Sequence, residues 1–361
     1  MNKSIRLLLA AGGTGGHMFP AQALAETLKA QGWDIAMMTD ARGRKHTGKI
    51  PADPIIEVKA ASITPRRPVA AILGTLKLAK GVIQARKFIK EWQPDIVVGF
   101  GGYPAFPAMH AAQGMGIPTI LHEQNAVLGR VNRIFAAKAN YVASGFADLD
   151  KLPEGANHVV TGNPMRDQIA KSVPKTYASP KGDIHLLIVG GSLGAKIISE
   201  TMPAAIALLP ESIRKRLKVV QQTRPEYHGA AKAVYKEASV QAVCETFFSD
   251  IETHLAKAHY IIGRAGASSV SEIAVMGKPS LLVPLAIAMD DHQTANALSL
   301  ARHNAADILP ESEFTPERVK TTLEARLNDS NWLKTAATAA RGQGRPNAAA
   351  ELAELVISAV K

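Results

Sequence analysis

Two stretches of this chain, about half its length apart, follow one plan. Leu7-Leu8-Leu9-Ala10-Ala11-Gly12-Gly13-Thr14-Gly15-Gly16 is an apolar run that ends in glycines around a hydroxyl residue. Leu186-Leu187-Ile188-Val189-Gly190-Gly191-Ser192-Leu193-Gly194 does the same, and a helical pattern follows each. Strand, glycine loop and helix are the opening of a doubly wound α/β domain. Two openings predict two such domains, and a chain of 361 residues has room for two. Further apolar runs at 5–10, 35–39, 95–99, 119–121 and 141–143, then at 185–189, 218–221, 260–262 and 280–283, alternate with amphipathic stretches. Buried runs between helices imply parallel sheets covered on both faces. The turn formers Thr161-Gly162-Asn163-Pro164 place the boundary. The helical stretch at 348–360 has no strand after it, and spacing alone does not assign it to either domain.

Composition narrows the class. With 47% hydrophobic and 20% charged residues, disorder and fibrous repeats are excluded. One cysteine, Cys244, cannot form an internal bridge. The longest apolar candidate for a membrane span, 281–289, contains Pro284 and ends on Asp290-Asp291. Lys3 and Arg6 ahead of Leu7 superficially suggest a signal peptide, but the apolar stretch is short and runs into glycines, so it reads as a strand and the chain as cytosolic.

The charge is uneven. Lysines and arginines number 42 against 31 acids, a surplus of +11 that predicts an anionic partner. Between residues 65 and 92 stand Arg66, Arg67, Lys77, Lys80, Arg86, Lys87 and Lys90 against a single acid, Glu91. The same segment carries two apolar stripes at helical spacing. Leu78, Val82, Ala85, Ile89 and Trp92 read as a core face. Val69, Ile72, Leu73, Leu76, Ala79 and Ile83, bordered by Lys77, Lys80 and Lys87, suit either an anionic bilayer surface or a second buried face. Aromatics at 5% and no visible binding module argue against nucleic acid.

The loops supply the candidate chemistry. Glycine loops before a helix N-terminus form anion sites. The dinucleotide fingerprint fails, since Met18 stands where the third small residue belongs and Gly191-Ser192-Leu193 lacks the second glycine. No G-x-x-x-x-G-K-[ST] loop is present, and Asp40 is left as a possible ribose ligand. His17, at the mouth of the first helix, suits a general base, or simply hydrogen-bonds the loop. Gly99-Phe100-Gly101-Gly102-Tyr103 and His122-Glu123-Gln124-Asn125 end two more strands, where ligand crevices form. In the second half, Ala267-Ser268-Ser269-Val270-Ser271-Glu272 opens a helix and offers donors to a diphosphate. Glu272 can hold ribose hydroxyls, or be a first-turn acid favoured by the helix dipole. Asp290-Asp291-His292-Gln293-Thr294-Ala295-Asn296 suits sugar hydroxyls. Asp148-Leu149-Asp150 imitates a metal-dependent sugar-nucleotide motif without further ligands, and no tightly bound metal is expected.

Taken in order along essentially the full chain, these segments resemble the MurG family, UDP-GlcNAc:lipid I N-acetylglucosaminyltransferases of bacterial peptidoglycan synthesis. The carriers are Gly12-Gly13-Thr14-Gly15-Gly16-His17, Gly101-Gly102-Tyr103, His122-Glu123-Gln124-Asn125, Gly162-Asn163-Pro164, Gly190-Gly191-Ser192-Leu193-Gly194-Ala195, Ser271-Glu272, and Asp291-His292-Gln293 with Asn296. The resemblance implies a GT-B architecture, two Rossmann-like domains facing across a cleft. It implies an acceptor and membrane-facing domain at 1–163, joined by the C-terminal helix at 343–361, and a UDP-GlcNAc domain at 164–342.

It also implies roles. Ser192 would contact the donor diphosphate, Glu272 the ribose, Phe248 the uracil through its backbone, and Ala267, Ser268, Ser269, Val270 and Ser271 would line the donor site. Gln293 and Asn125 would read GlcNAc hydroxyls, and Arg166 would complete the donor pocket. Thr14, Gly15, Gly16 and Tyr103 would serve substrate from the first domain. The base would be His17 or Glu123. The implied acceptor, lipid I, places the chain on the cytoplasmic face of the inner membrane as a peripheral protein, with Ile72, Leu73, Leu76 and Ile83 inserting and Lys77 and Lys80 meeting headgroups. No bound cofactor or divalent metal is expected. A UDP-GlcNAc epimerase or another UDP-sugar transferase would share fold and donor loops. A nicotinamide dehydrogenase or a membrane scaffold fits the loops less well.

Overall fold

The computed structural model describes residues 4–13, 15–61, 68–191, 194–285 and 288–360. Thr14, Ser192, Arg66 and Arg67 lie outside the described residues, as does the side chain of Val69. The chain divides into two units, residues 1–166 with 347–361 and residues 167–346.

The first unit alternates strand and helix because its apolar runs are short and buried on both faces. In order it holds β1 (Arg6–Ala10), α1 (Gly15–Lys29), β2 (Asp34–Thr39), β3 (Ile55–Glu57), α2 (Pro68–Trp92), β4 (Ile96–Gly99), α3 (Phe106–Gly114), β5 (Thr119–Glu123), α4 (Arg130–Phe135), β6 (Tyr141–Ser144) and β7 (His158–Val160). The sheet order is β3-β2-β1-β4-β5-β6-β7, and every pairing is parallel. Leu7, Leu8 and Leu9 are fully buried, Leu8 against one face and its neighbours against the other.

α2 confirms one apolar stripe and exposes the other. Ala85 and Ile89 are buried, with Phe88 and Trp92 packed on the same core. A Cβ on Gly81 would meet the Lys59 carbonyl at 2.0 Å, so glycine is what lets this helix lie against the chain after β3. On the opposite side Ile72, Leu73, Leu76 and Ile83 are 63, 55, 55 and 67% exposed. A second buried face is thereby excluded.

The second unit opens with α5 (Asp167–Lys171) and repeats the pattern: β8 (Ile184–Val189), α6 (Lys196–Ala207), α7 (Glu211–Arg214), β9 (Leu217–Gln222), α8 (His228–Glu237), β10 (Gln241–Glu245), α9 (Ile251–Lys257), β11 (Tyr260–Arg264), α10 (Ala267–Met276), β12 (Ser280–Val283), α11 (His292–Ala301), β13 (Ala306–Ile308), α12 (Pro316–Leu327) and α13 (Ser330–Gln343). Its parallel sheet runs β10-β9-β8-β11-β12-β13. The edge strand β13 is fastened by Asp307, which takes two bonds from Arg326 on α12 at 2.9 and 2.8 Å. That guanidinium lies 4.1 Å over the Trp332 ring.

The last helix, α14 (Ala348–Val360), belongs to the first unit. Leu352, Ala353 and Val356 share a core with Leu24, Leu28 and Ile35. Burying Leu352 and Val356 completely contributes about 2 kcal/mol each. Spacing left this helix unassigned, because an amphipathic face does not say which sheet it covers.

Candidate active site

In both sheets the chain reverses direction beside its first strand, between β1 and β4 and between β8 and β11. Crevices open at the carboxyl ends of strands flanking such a switch point. The glycine-rich and polar loops follow β1, β4 and β5 in one unit and β8, β11 and β12 in the other, the same three adjacent positions.

In the first unit these loops are locked together. A Cβ on Gly12 would lie 2.6 Å from Cβ of Pro104, so the absence of a side chain is what seats the β1 loop on the β4 loop. The loop turns at Gly13, whose φ is 86°. Asp40 stabilises that turn. Its Oδ1 accepts the N–H groups of Gly13 at 3.1 Å and Gly43 at 2.9 Å, and its Oδ2 accepts the Tyr103 hydroxyl at 3.3 Å. Arg42 reaches the same oxygen at 3.5 Å and lies over the Tyr103 ring. Asp40, the possible ribose ligand, here spends its carboxylate on holding the loops.

Glu123 is equally occupied. Oε1 accepts the backbone and side-chain N–H groups of Asn125 at 3.1 and 3.2 Å. Oε2 accepts the Gly129 N–H at 2.8 Å and the Asn132 amide at 2.9 Å. The residue is buried, so these bonds replace the water that its carboxyl oxygens lose.

His17 sits in the first turn of α1, half-buried, with Nδ1 2.7 Å from Oε1 of Gln124. Gln124 is bonded in turn to His122, whose Nε2 reaches the Gly162 carbonyl at 3.0 Å. The side chain of Asn163 donates to the Gln124 carbonyl at 2.9 Å. Thus the Gly162-Asn163-Pro164 segment anchors the His122–Asn125 segment. Burial pushes the His122 imidazole down to about 4, opposed by its bond to Gly162 and assisted by the neighbouring His17. Pro20, inside α1, has no N–H to offer the Gly16 carbonyl one turn earlier. Gly15 and Gly16 stand beside His17 at the same helix start. Arg166, the last residue of this unit's first segment, lies 5.6 Å over the Phe19 ring of α1.

The second unit offers main-chain donors. Gly190 can carry no side chain, since a Cβ there would meet the Ala195 nitrogen at 2.2 Å; Gly191 and Gly194 have φ of 85° and 69°. The Gly190 N–H is fixed on Oε1 of Gln222 at 3.0 Å. α10 begins at Ala267 after an extended Gly266. Its first intrahelical bond comes from the Val270 N–H, so the N–H groups of Ala267, Ser268 and Ser269 face outward from the helix end. Ala267 and Val270 point their side chains into the core, which limits them to main-chain roles. Ser268, Ser269, Ser271 and Glu272 are half-buried.

The turn before α10 is held by the buried Asn296, whose amide donates to the Ala265 carbonyl at 3.0 Å. Gln293 accepts the Leu285 N–H at 3.0 Å, which leaves its amide nitrogen to donate elsewhere. Arg264, ending β11, pairs with Glu311 and donates to the Val283 carbonyl at 3.2 Å. Phe248 follows β10 at the sheet edge and meets the His254 ring edge-on at 4.9 Å.

Among the described residues no cluster of three or more His, Cys, Asp or Glu suits a metal ion, and no helix is long and apolar enough to cross a membrane. Sequence reasoning missed the fastening roles of Asp40, Asn132, Gln222 and Arg264, each of which acts on main chain or on a side chain of another element. Gln124 carried a signal only as one of four consecutive polar residues at a strand end.

Residues 7–144 match the glycosyltransferase family 28 N-terminal domain, and residues 185–352 match the glycosyltransferase family 28 C-terminal domain. A protein of Maricaulis maris named UDP-N-acetylglucosamine–N-acetylmuramyl-(pentapeptide) pyrophosphoryl-undecaprenol N-acetylglucosamine transferase is 50% identical, over 97% of this chain and 96% of its own. One of the same name from Brucella suis is 42% identical, over 98% and 94%. The crystal structure of Acinetobacter baumannii MurG superposes with a TM-score of 0.82 at 32% identity, covering 98% of this chain and 99% of that one.

Proposed function

The chain belongs to glycosyltransferase family 28, within it to the MurG family, and on that premise we propose that it transfers N-acetylglucosamine from UDP-GlcNAc to lipid I. Lipid I is the undecaprenyl-diphosphate-linked N-acetylmuramyl-pentapeptide, and the product is lipid II, a peptidoglycan precursor. The two Rossmann-like units divide the work that a GT-B enzyme needs. Main-chain N–H groups of the first turn of α10 suit the UDP diphosphate, and Glu272 the ribose. The glycine loop at the start of α1 suits the acceptor diphosphate.

In the reaction the C4 hydroxyl of N-acetylmuramic acid attacks the anomeric carbon of the donor. The bond from that carbon to the UDP oxygen breaks, its electron pair leaves with UDP, and an α-donor gives a β-1,4 link. Such a transition state is oxocarbenium-like, with negative charge growing on the diphosphate. Fixed N–H donors and the α10 dipole are suited to that charge without reorganising. The acceptor proton goes to His17. The observation that carries this choice is the contrast between two candidates: Glu123 already accepts four hydrogen bonds, whereas the His17 ring is held through Nδ1 alone.

An acceptor with a polyprenyl tail stays in the membrane. We therefore place the exposed stripe Ile72, Leu73, Leu76 and Ile83 on the bilayer, with Lys77 and Lys80 beside it on anionic headgroups. The protein would work as a peripheral enzyme on the cytoplasmic face.

The deciding experiment is transfer of radiolabelled GlcNAc to a lipid I analogue by wild type and His17→Ala. Product from wild type and a fall in kcat of about 100-fold or more in the variant is the expected result. Equal rates would remove His17 as the base, and no product from a folded wild type would overturn the function.

A further inference from the structure

The contacts behind His17 determine where its proton sits. The Gly162 carbonyl can only accept, so the Nε2 of His122, 3.0 Å away, carries a hydrogen. His122 is neutral, because burial pushes its ionisation down to about 4, so its Nδ1 holds a lone pair. One nitrogen of Gln124 lies 2.9 Å from that Nδ1 and 3.0 Å from the His122 carbonyl. Both are acceptors, which identifies this end of the amide as NH2 and spends its two hydrogens. The other end is therefore oxygen, and it faces Nδ1 of His17 at 2.7 Å. An amide oxygen only accepts.

We infer that Gln124, held by His122, is a positioning residue that keeps the His17 hydrogen on Nδ1 and leaves Nε2 as the basic atom. The inference rests on the reading of His17 as the base. Gly102 runs beside this edge of the His17 ring, where a Cβ would lie 3.6 Å from both Nε2 and Cδ2.

The proton balance closes. Nε2 takes the acceptor hydroxyl proton as the new C–O bond forms and UDP departs with its electron pair. The imidazolium keeps its Nδ1–H on the same amide oxygen, so nothing moves through Gln124. A flipped amide would instead aim NH2 at His17, demand a lone pair on Nδ1 and protonate Nε2, which silences the base.

The test is the tautomer, read by nitrogen-15 NMR on histidine-labelled protein, with His17→Gln used to assign the signal. Wild type should show His17 protonated at Nδ1 and His122 at Nε2, opposite forms in adjacent rings. Gln124→Leu should lose the His17 preference and lower kcat about tenfold or more, with KM for UDP-GlcNAc changed less than about twofold. Gln124→Glu, which restores an acceptor facing Nδ1, should recover the Nδ1–H signature. A wild-type His17 protonated at Nε2, or Gln124→Leu with unchanged tautomer and kcat, would overturn the inference. The wild-type spectrum decides it even where Gln124→Leu does not fold. Absence of transfer by wild type would instead strike the functional reading, because the tautomer is read without substrate.

Discussion

The amide of Asn132 on α4 donates to Oε2 of Glu123 at the end of β5, at 2.9 Å, and this is one of four bonds the carboxylate accepts. Glu123 therefore organises the loop from Asn125 to Gly129 from beneath.

Replacing Glu123 with glutamine keeps the shape and turns two acceptor positions into donors facing donors. Glu123→Gln should lower stability by about 2 kcal/mol, read from the urea midpoint, because buried N–H groups lose their partner. Its kcat at low temperature should fall far less than that of His17→Ala. A variant as stable as wild type yet as inactive as His17→Ala would move the base to Glu123.

Acid should destabilise the protein through two buried histidines. Burial lowers His122 from 6.5 to about 4; in the second unit burial, then His185 and Lys278, lowers His259 to about 4. Between those values the unfolded chain binds a proton that the folded chain does not. Stability is thus complete above the unfolded value and drains as pH falls toward 4. For the fully buried His122 the full effect is about 3 kcal/mol. The urea midpoint should decline from about pH 7 to about pH 4.5, and His122→Phe should flatten the decline even though its midpoint near neutrality is lower. A midpoint independent of pH in wild type would refute the assignment.

The exposed stripe on α2 should act as a membrane contact. Serine at Ile72, Leu73, Leu76 and Ile83 together should cut co-sedimentation with phosphatidylglycerol vesicles at least about tenfold, given roughly 0.8 kcal/mol for each buried methylene. Turnover of a short-chain, water-soluble acceptor should be unchanged. Undiminished vesicle binding would refute the membrane placement.

The central strands were legible because Leu7-Leu8-Leu9 and Leu186-Leu187-Ile188 are buried on both faces and therefore wholly apolar. The edge strands β3, β7, β10 and β13 were not. Each is half-solvated and mixes polar with apolar residues, as in Ala306-Asp307-Ile308 or Gln241-Ala242-Val243-Cys244-Glu245. The loops that carry the candidate site could be read from their glycines and polar clusters. The bonds between them could not: His17 and Gln124 are 107 positions apart, and Asp40 acts on N–H groups that every residue but proline owns. Contacts of that kind leave no periodicity.

Because α14 completes the core of the first unit, the second unit is spliced into the first as a continuous insertion. On a ribosome, residues 167–346 are delivered before α14 exists. The second unit can finish folding while α1 still lacks the helix that covers it. Leu24 and Leu28 stay partly uncovered until α14 emerges, so the unit begun first is completed only after the second.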